Sequence, residues 1–204
     1  LRHPMEGAAR FADEIASKPV INAGSGGEEH PTQAMLDLYT LMKEKGRVDG
    51  LNIAIVGDLK YGRTVYSLLY ALAKYSPRVW LASPPQLRIR RDVLLDVKGQ
   101  MKVSEHERLE EIISELDVIY VTRIQRERFP DPAEYEKVKG SYVIDNSLLK
   151  KGREDLIVMH PLPRLDEIKP EVDQTPHAKY FVQAHRGKVL RASLMALILN
   201  KTFP

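Results

Sequence analysis

Short apolar runs alternate with segments of helical periodicity between residues 50 and 159 of this chain. This alternation is typical of parallel β/α units, in which each buried strand is followed by an amphipathic helix. Strands are predicted at residues 52–57, 78–82, 101–104, 117–122, 142–144 and 156–160. Helices are predicted between them at 62–74, 85–97, 105–114 and 131–138. The fold class is therefore α/β, a doubly wound parallel sheet with flanking helices, which collects ligands at the carboxyl ends of its strands.

The segments on either side of this block have a different pattern. Residues 5–16 and 31–45 are predicted helices, separated by a short strand at 19–22 and a loop at 24–29. Residues 162–174 are rich in proline and charge and are predicted to be a loop, whereas 187–199 form a strongly apolar helix. A helix of that kind needs a partner surface.

Composition narrows the class of protein. An apolar content of 43% in 204 residues is enough for a buried core. Charges of both signs are mixed and the formal net charge is only +3, which argues against a nucleic-acid-binding stripe. Arginines gathered in one cleft would still attract a small polyanionic substrate.

The chain contains no cysteine, which excludes disulfides, thiolate metal sites and a cysteine nucleophile and fits a cytoplasmic location. No apolar run is long enough to span a membrane, and the first ten residues lack the apolar core of a secretory signal. Because the chain starts at Leu1 without an initiator methionine, we expect it to be a fragment or a processed product.

The first predicted strand leads into a turn bounded by Gly57 and Gly62, followed by Arg63 and Thr64. The spacing is close to that of a Walker A loop, so a P-loop-like nucleotide binder is one alternative, but Arg63 replaces the phosphate-binding lysine. An arginine fork suits bidentate carboxylate binding. A turn with a solvated arginine is the simplest alternative.

Two more predicted strands end in polar residues. Arg123 and Gln125 follow residues 117–122 and could point into one crevice, although a charged loop in which Arg126, Glu127 and Arg128 pair with one another is the alternative. After residues 156–160, Pro161 and Pro163 remove backbone donors and leave carbonyl oxygens to accept bonds from a ligand amide. The alternative there is a rigid turn that closes the sheet.

His30 and Gln33 lie three residues apart at a predicted helix start, where they share a face beside the positive end of the helix dipole. An electron-rich group would be stabilised there, although a single histidine at such a place is more often a capping or packing residue. No pair of histidines or carboxylates has metal-ligand spacing, and no Ser-His-Asp order indicates acyl-enzyme chemistry.

Seven short motifs, in this order, resemble the aspartate carbamoyltransferases over essentially the entire chain. They are Arg2-His-Pro-Met-Glu-Gly-Ala-Ala-Arg10, Asn22-Ala-Gly24, His30-Pro-Thr-Gln33, Gly57-Asp-Leu-Lys-Tyr-Gly-Arg63, Thr122-Arg-Ile-Gln125, His160-Pro-Leu-Pro-Arg164 and Thr175-Pro-His177. The resemblance implies transfer of a carbamoyl group from carbamoyl phosphate to L-aspartate in pyrimidine synthesis. It implies no metal or organic cofactor at the reacting centre.

The resemblance also implies roles for individual residues. Arg2, His30 and Gln33 would contact carbamoyl phosphate, with Arg2 and His30 as catalytic donors to the carbonyl oxygen on which negative charge develops. Gln33 and the backbone at Leu162 and Pro163 would hold the carbamoyl amide. Arg63 and Arg123, assisted by Gln125, would bind the carboxylates of aspartate. The related ornithine enzymes usually carry cysteine near the position of Pro161, so this segment favours aspartate.

The family's Ser-Thr-Arg-Thr phosphate loop, and a second loop whose Ser and Lys reach a neighbouring subunit, do not occur in this sequence. We therefore expect the chain to be inactive alone, with a non-catalytic ligand-binding domain of the same fold as the alternative. Residues 1–45 would be a remnant of the carbamoyl-phosphate domain, 46–179 the aspartate-binding domain, and 180–204 a helix returning to the first. The resemblance further implies a homotrimer with intersubunit sites, and a regulatory chain is left open.

Overall fold

The computed structural model describes residues 1–126, 129 and 131–200. Its centre is a parallel sheet of five strands in the order β3-β2-β1-β4-β5. The strands are β1 Asn52–Val56, β2 Arg78–Ala82, β3 Lys102–His106, β4 Val118–Val121 and β5 Ile157–Met159. Chain order reverses direction across the sheet between β1 and β4, so the crevice that binds ligands in such sheets lies at the ends of these two strands. The predicted fold class is confirmed.

Helices cover both faces of the sheet and extend beyond it. The α-helices are α1 Ala8–Ile15, α2 Pro31–Lys45, α3 Arg63–Leu72, α4 Arg91–Lys98, α5 Pro132–Val138, α6 Asn146–Leu149 and α7 Tyr180–Ile198. Single 3-10 turns occupy Pro85–Leu87, Leu109–Glu111, Ile113–Glu115 and Pro170–Gln174. The predicted helix at 31–45 agrees with α2 at both ends.

The central strands are buried on both faces, which explains why they read as continuous apolar runs. In β1, Ile53 and Ile55 belong to one apolar cluster and Ala54 and Val56 to another, as the two-residue period of a strand requires. The first cluster packs under α3 and α4, and the second lies under α6 and the turns at Leu109–Glu111 and Ile113–Glu115.

Some local predictions are wrong. The helix expected at 105–114 does not form, because Glu105 and His106 complete β3 and two 3-10 turns follow. β3 is an edge strand whose side chains are mostly exposed or half-buried, so it can include polar residues. The strand therefore extends beyond the apolar residues from which it was predicted. Residues 142–144 contribute only a single bridge between Ile144 and Ile168. Residues 19–22 form no strand, and the chain there instead bonds to the N-terminus, where Ala23 N donates to Leu1 O at 2.7 Å.

The last helix begins at Tyr180, not at residue 187 as the apolar pattern predicts. Its first turns bury Tyr180 and Gln183, and Gly187 is buried against α2. Ion pairs from Glu44 to Lys179 and Arg186 join the two helices. The remainder of α7 leaves large apolar side chains exposed, including Met195 and Leu197.

Other apolar side chains are exposed on α1, where Phe11 and Ile15 lie 58% and 69% accessible. Exposed apolar residues on both terminal helices are typical of surfaces that pack against a partner. None of the helices among residues 1–126 and 131–200 is long and apolar enough to cross a membrane.

Candidate active site

One cavity of about 530 Å³ opens at the carboxyl ends of β1, β4 and β5. Side chains from α2, α7 and the N-terminal segment complete its wall. All eight site residues predicted from the sequence line it: Arg2, His30, Gln33, Arg63, Arg123, Gln125, Leu162 and Pro163. Residues that are distant in the chain therefore face one common space.

The cavity is strongly cationic. Four arginines line it, Arg2, Arg63, Arg123 and Arg191, and its described lining includes no aspartate or glutamate. In a concave site of lowered dielectric constant these charges add up to a positive potential. The cavity therefore favours an anionic ligand, although the chain as a whole is nearly balanced in charge.

Close backbone contact between β1 and β4 brings two of these arginines together. Gly57, just after β1, has a φ of +110°, and a Cβ atom there would lie 2.3 Å from the carbonyl oxygen of Thr122. Only glycine permits this approach. Arg63 begins α3 a few residues after Gly57, and Arg123 follows Thr122 directly, so both side chains reach the same crevice.

His30 is the N-cap residue of α2 and is almost completely buried. Its backbone N–H donates to Ser67 Oγ at 2.8 Å, which anchors the start of α2 to α3. Burial, followed by the positive charges of Arg63, Arg191 and Arg2, lowers the pKa of His30 to about 4. At neutral pH the imidazole is therefore uncharged and carries one N–H. A neutral imidazole in a cationic pocket can donate a hydrogen bond to an oxygen that becomes negative.

The loop after β5 presents acceptors to the cavity. Pro161 and Pro163 have no N–H, and the two remaining donors are used inside the protein: His160 N donates to Gln183 Oε1 at 2.9 Å, and Leu162 N donates to His160 Nδ1 at 2.8 Å. Since Nδ1 accepts, the ring proton lies on Nε2, which bonds Glu167 Oε1 at 2.8 Å. The backbone of residues 160–163 thus has only carbonyl oxygens to offer a ligand, as expected from the two prolines. Leu162 has a φ of 53° and the Leu162–Pro163 peptide is cis.

Two polar residues that line the cavity, Gln183 and Arg191, were missed by the sequence analysis. Arg191 was missed because it lies within an apolar helix, where periodicity alone indicates a solvated charge. The small residue one turn earlier, Gly187, was the available signal. A Cβ atom there would lie 2.6 Å from Arg191 Nη1, so glycine leaves room for the guanidinium beside the helix.

Arg126 is exposed and does not line the cavity. The expected pairing of Arg126 with Glu127 and Arg128 lies outside the described residues. Within the described part of the chain, no group of three or more histidine or acidic side chains is arranged to hold a metal ion.

Comparisons with known proteins show which family the chain resembles in sequence. The sequence model of the aspartate/ornithine carbamoyltransferase Asp/Orn binding domain matches residues 49–198, and that of the carbamoyl-P binding domain matches residues 1–43. The aspartate carbamoyltransferase catalytic subunit of Cenarchaeum symbiosum is 61% identical over 98% of this chain and 65% of its own length. That of Nitrosopumilus maritimus is 59% identical with the same coverage.

Solved structures give the same result. The catalytic subunit of M. jannaschii aspartate transcarbamoylase superposes with a TM-score of 0.90 at 51% identity, over 98% of this chain and 65% of that chain. Aspartate transcarbamoylase from Trypanosoma cruzi in complex with carbamoyl phosphate and aspartate has a TM-score of 0.90 at 40% identity, over 95% of this chain and 64% of that one. This chain spans about 65% of the length of the curated relatives it matches.

Proposed function

Because this chain belongs to the aspartate/ornithine carbamoyltransferase family, we propose that the natural protein containing it transfers the carbamoyl group of carbamoyl phosphate to L-aspartate in pyrimidine synthesis. The products would be N-carbamoyl-L-aspartate and phosphate. The observation that carries the proposal is the single cavity in which four arginines lie beside a loop that offers only acceptors. This combination suits an anion that also bears an amide.

The aspartate half of the site would lie at the ends of β1 and β4. Arg63 and Arg123 are planar donor forks, and a dicarboxylate can engage both at once. Gln125 lies two residues beyond Arg123 and lines the same cavity, where its amide can assist. Ornithine would place an ammonium group among these arginines, and like-charge repulsion disfavours it.

The carbamoyl half would lie between α2 and the loop after β5. Its amide N–H groups would donate to Gln33 Oε1 and to the carbonyl oxygens at Leu162 and Pro163. Its carbonyl oxygen would accept from Arg2 and His30. Because His30 is neutral, it donates without adding another full charge to the pocket.

The reaction needs positioning and charge stabilisation. The α-amino nitrogen attacks the carbamoyl carbon and forms the new C–N bond, while the carbonyl oxygen becomes negative against Arg2 and His30. Collapse of this intermediate breaks the bond from carbon to the phosphate oxygen. The departing phosphate takes up the proton released by the amine, so no side chain has to serve as general base.

We also propose that residues outside this chain bind part of the phosphate group, as the resemblance to the family implies. The natural protein would be a cytoplasmic homotrimer with intersubunit sites. The exposed apolar residues of α1 and α7 support a partner surface. The 204-residue chain alone is then expected to show little turnover. A regulatory chain is compatible with this arrangement.

The test is an assay of the complete natural protein for carbamoyl-aspartate formation, comparing Arg123→Ala with Arg126→Ala. Arg123→Ala should raise the KM for aspartate by a factor equivalent to about 2 kcal/mol or more, because a carboxylate loses its charged partner. Arg126 is the matched control, since it carries the same charge but lies outside the cavity. Absence of product from the complete protein, or equal effects of the two variants, would refute the proposal. Binding of aspartate without turnover would instead support a non-catalytic ligand-binding domain.

A further inference from the structure

The carboxyl group of Asp37, on α2 one turn after Gln33, is completely buried beside the cavity. Asp37 has no measurable exposure, and three donors from three different elements surround it. Gln33 Nε2 donates to Oδ1 at 2.9 Å, and Gln183 Nε2 on α7 donates to the same oxygen at 2.7 Å. Tyr120 Oη on β4 donates to Oδ2 at 2.8 Å. One carboxyl group thus joins the helices of both ends of the chain to the central sheet.

The two glutamines that meet at Oδ1 both line the cavity. An amide side chain has a donor end and an acceptor end, so a bond that occupies Nε2 determines where Oε1 points. For Gln183, Oε1 accepts from His160 N and so holds the start of the 160–163 loop in place. For Gln33, the donor end is held by Asp37, which leaves the acceptor end for the cavity.

We propose that Asp37 is a positioning residue, which aligns Gln33 and, through Gln183, the 160–163 loop so that acceptors face the carbamoyl amide from both sides. This inference rests on the proposed function for the identity of the ligand. Without Asp37, Gln33 could rotate its amide and present N–H groups, which would oppose the amide of the ligand.

The role depends on Oδ1 as an acceptor and not on the charge of the carboxyl group. Neither Gln Nε2 can accept a hydrogen bond, so Oδ1 stays unprotonated in this arrangement. A proton on the group would lie on Oδ2, where Tyr120 Oη can accept it. Asparagine at position 37 can keep the same contacts, with Oδ1 toward the glutamines and its NH₂ toward Tyr120 Oη.

This distinction gives the test in the complete natural protein. Asp37→Leu, which removes the acceptor but keeps the branched shape of the side chain, should raise the KM for carbamoyl phosphate about tenfold or more, as expected when a fixed hydrogen bond is lost. Asp37→Asn should stay within about threefold of the natural protein. If Asp37→Leu does not fold, Asp37→Ser replaces it, because the shorter hydroxyl cannot reach both amides. If the Asn variant loses binding as Leu or Ser does, the inference is overturned.

Two controls separate positioning from general stability. Tyr120→Phe removes the partner of Oδ2 and leaves both Oδ1 bonds, so it should lower the melting temperature while the KM for carbamoyl phosphate changes by less than about twofold. In a Gln33→Ala background, Asp37→Leu should add less than it does alone, since only the route through Gln183 is left and residues that act through one another are not additive. An additive double variant, or a Tyr120→Phe effect equal to that of Asp37→Leu, would contradict the inference.

A measurement without turnover keeps this test independent of the reaction. In the ligand-free protein, the side-chain NH₂ protons of Gln33 should exchange slowly with solvent, both in the natural protein and in Asp37→Asn. In Asp37→Leu or Asp37→Ser they should exchange rapidly. Equal exchange in all of them would overturn the positioning role even if carbamoyl transfer is confirmed. The expected pattern without any carbamoyl transfer would refute only the proposed function.

Discussion

Gly24 and Arg63 are in direct contact, although they belong to separate motifs: a Cβ atom on Gly24 would lie 2.9 Å from Arg63 Cζ. The guanidinium passes over this glycine, and its Nη1 donates to the carbonyl oxygen of Gly26 at 2.8 Å. The loop before α2 therefore holds an arginine that begins α3. Gly24 has a φ of +123°, which also favours glycine.

The Gly24→Ala variant should displace Arg63 and raise the KM for aspartate by about tenfold, because a shifted fork loses part of its bidentate contact. Gly46→Ala is the matched control. Gly46 also has a positive φ, +69°, but an added Cβ atom there meets nothing within 4 Å. Both variants should lose roughly 1–2 kcal/mol of stability through backbone strain. A similar KM for aspartate in the two variants would show that Arg63 does not depend on Gly24.

His30 should remain neutral until the pH falls to about 4, because burial and the nearby arginines disfavour its charged form. In the unfolded chain the pKa is about 6.5, so below that pH the unfolded state binds the proton first. The contribution of His30 to stability is thus complete above pH 6.5 and is lost as the pH falls through 4. An NMR titration of the imidazole, assigned by its disappearance in His30→Asn, measures this directly, and a midpoint near 6.5 would contradict it.

Loss of the His30 donor should affect turnover more than substrate binding. In the complete natural protein, His30→Ala should lower kcat by about 10²-fold or more, the usual effect of removing one donor to a developing oxyanion. The control is Ser67→Ala, which removes the partner of the His30 backbone N–H and leaves the imidazole in place. A nearly normal kcat in His30→Ala would mean that this histidine only caps α2.

Asp37→Asn should become more stable relative to the natural protein as the pH rises. Burial raises the pKa of Asp37 to about 7, an effect that outweighs the donors from Gln183, Tyr120 and Gln33. Between the unfolded pKa near 3.9 and this value, the folded state binds more protons than the unfolded state, so stability falls as the pH rises. Asparagine avoids this loss of unfolding free energy. Because one pKa unit corresponds to about 1.4 kcal/mol, the loss is at most roughly 4 kcal/mol. Urea unfolding of both proteins at pH 5 and pH 8 tests the sign, and an unchanged difference would refute it.

Gly187→Ala should separate stability from ligand binding. Alanine improves helix propensity by about 1 kcal/mol, but its Cβ would lie 2.6 Å from Arg191 Nη1 and 2.8 Å from Leu36 Cδ2. Both contacts are with side-chain ends that can move, so we expect a net stability change within about 1 kcal/mol. Displacement of Arg191 should weaken binding of inorganic phosphate several-fold, as measured by calorimetry with Gly99→Ala as control, whose Cβ would lie 3.5 Å or more from any neighbour. Unchanged phosphate binding would show that Arg191 does not contribute to the anion site.

The α/β class and the positions of the central strands follow from the sequence, because strands buried on both faces must be apolar and their period is short. Three of the cavity-lining residues predicted from the sequence, Arg63, Arg123 and His30, follow a strand or begin a helix. These residues lie at ends that a parallel sheet brings to one edge. Their roles in the reaction remain predictions.

The contacts that hold these residues in place depend on how the elements pack together. Edge strand β3 continues through Glu105 and His106 because its side chains meet solvent, which apolar periodicity does not report. The contacts of Gly24 with Arg63, and of Asp37 with Gln33, Gln183 and Tyr120, join elements far apart in the chain. The pattern of apolar residues indicates which side of a helix or strand is buried. Which residue of another element a buried side chain contacts depends on how the elements pack together. For that reason Arg191 and Gln183, which reach the cavity from an otherwise apolar helix, became visible only once α7 was packed against α2.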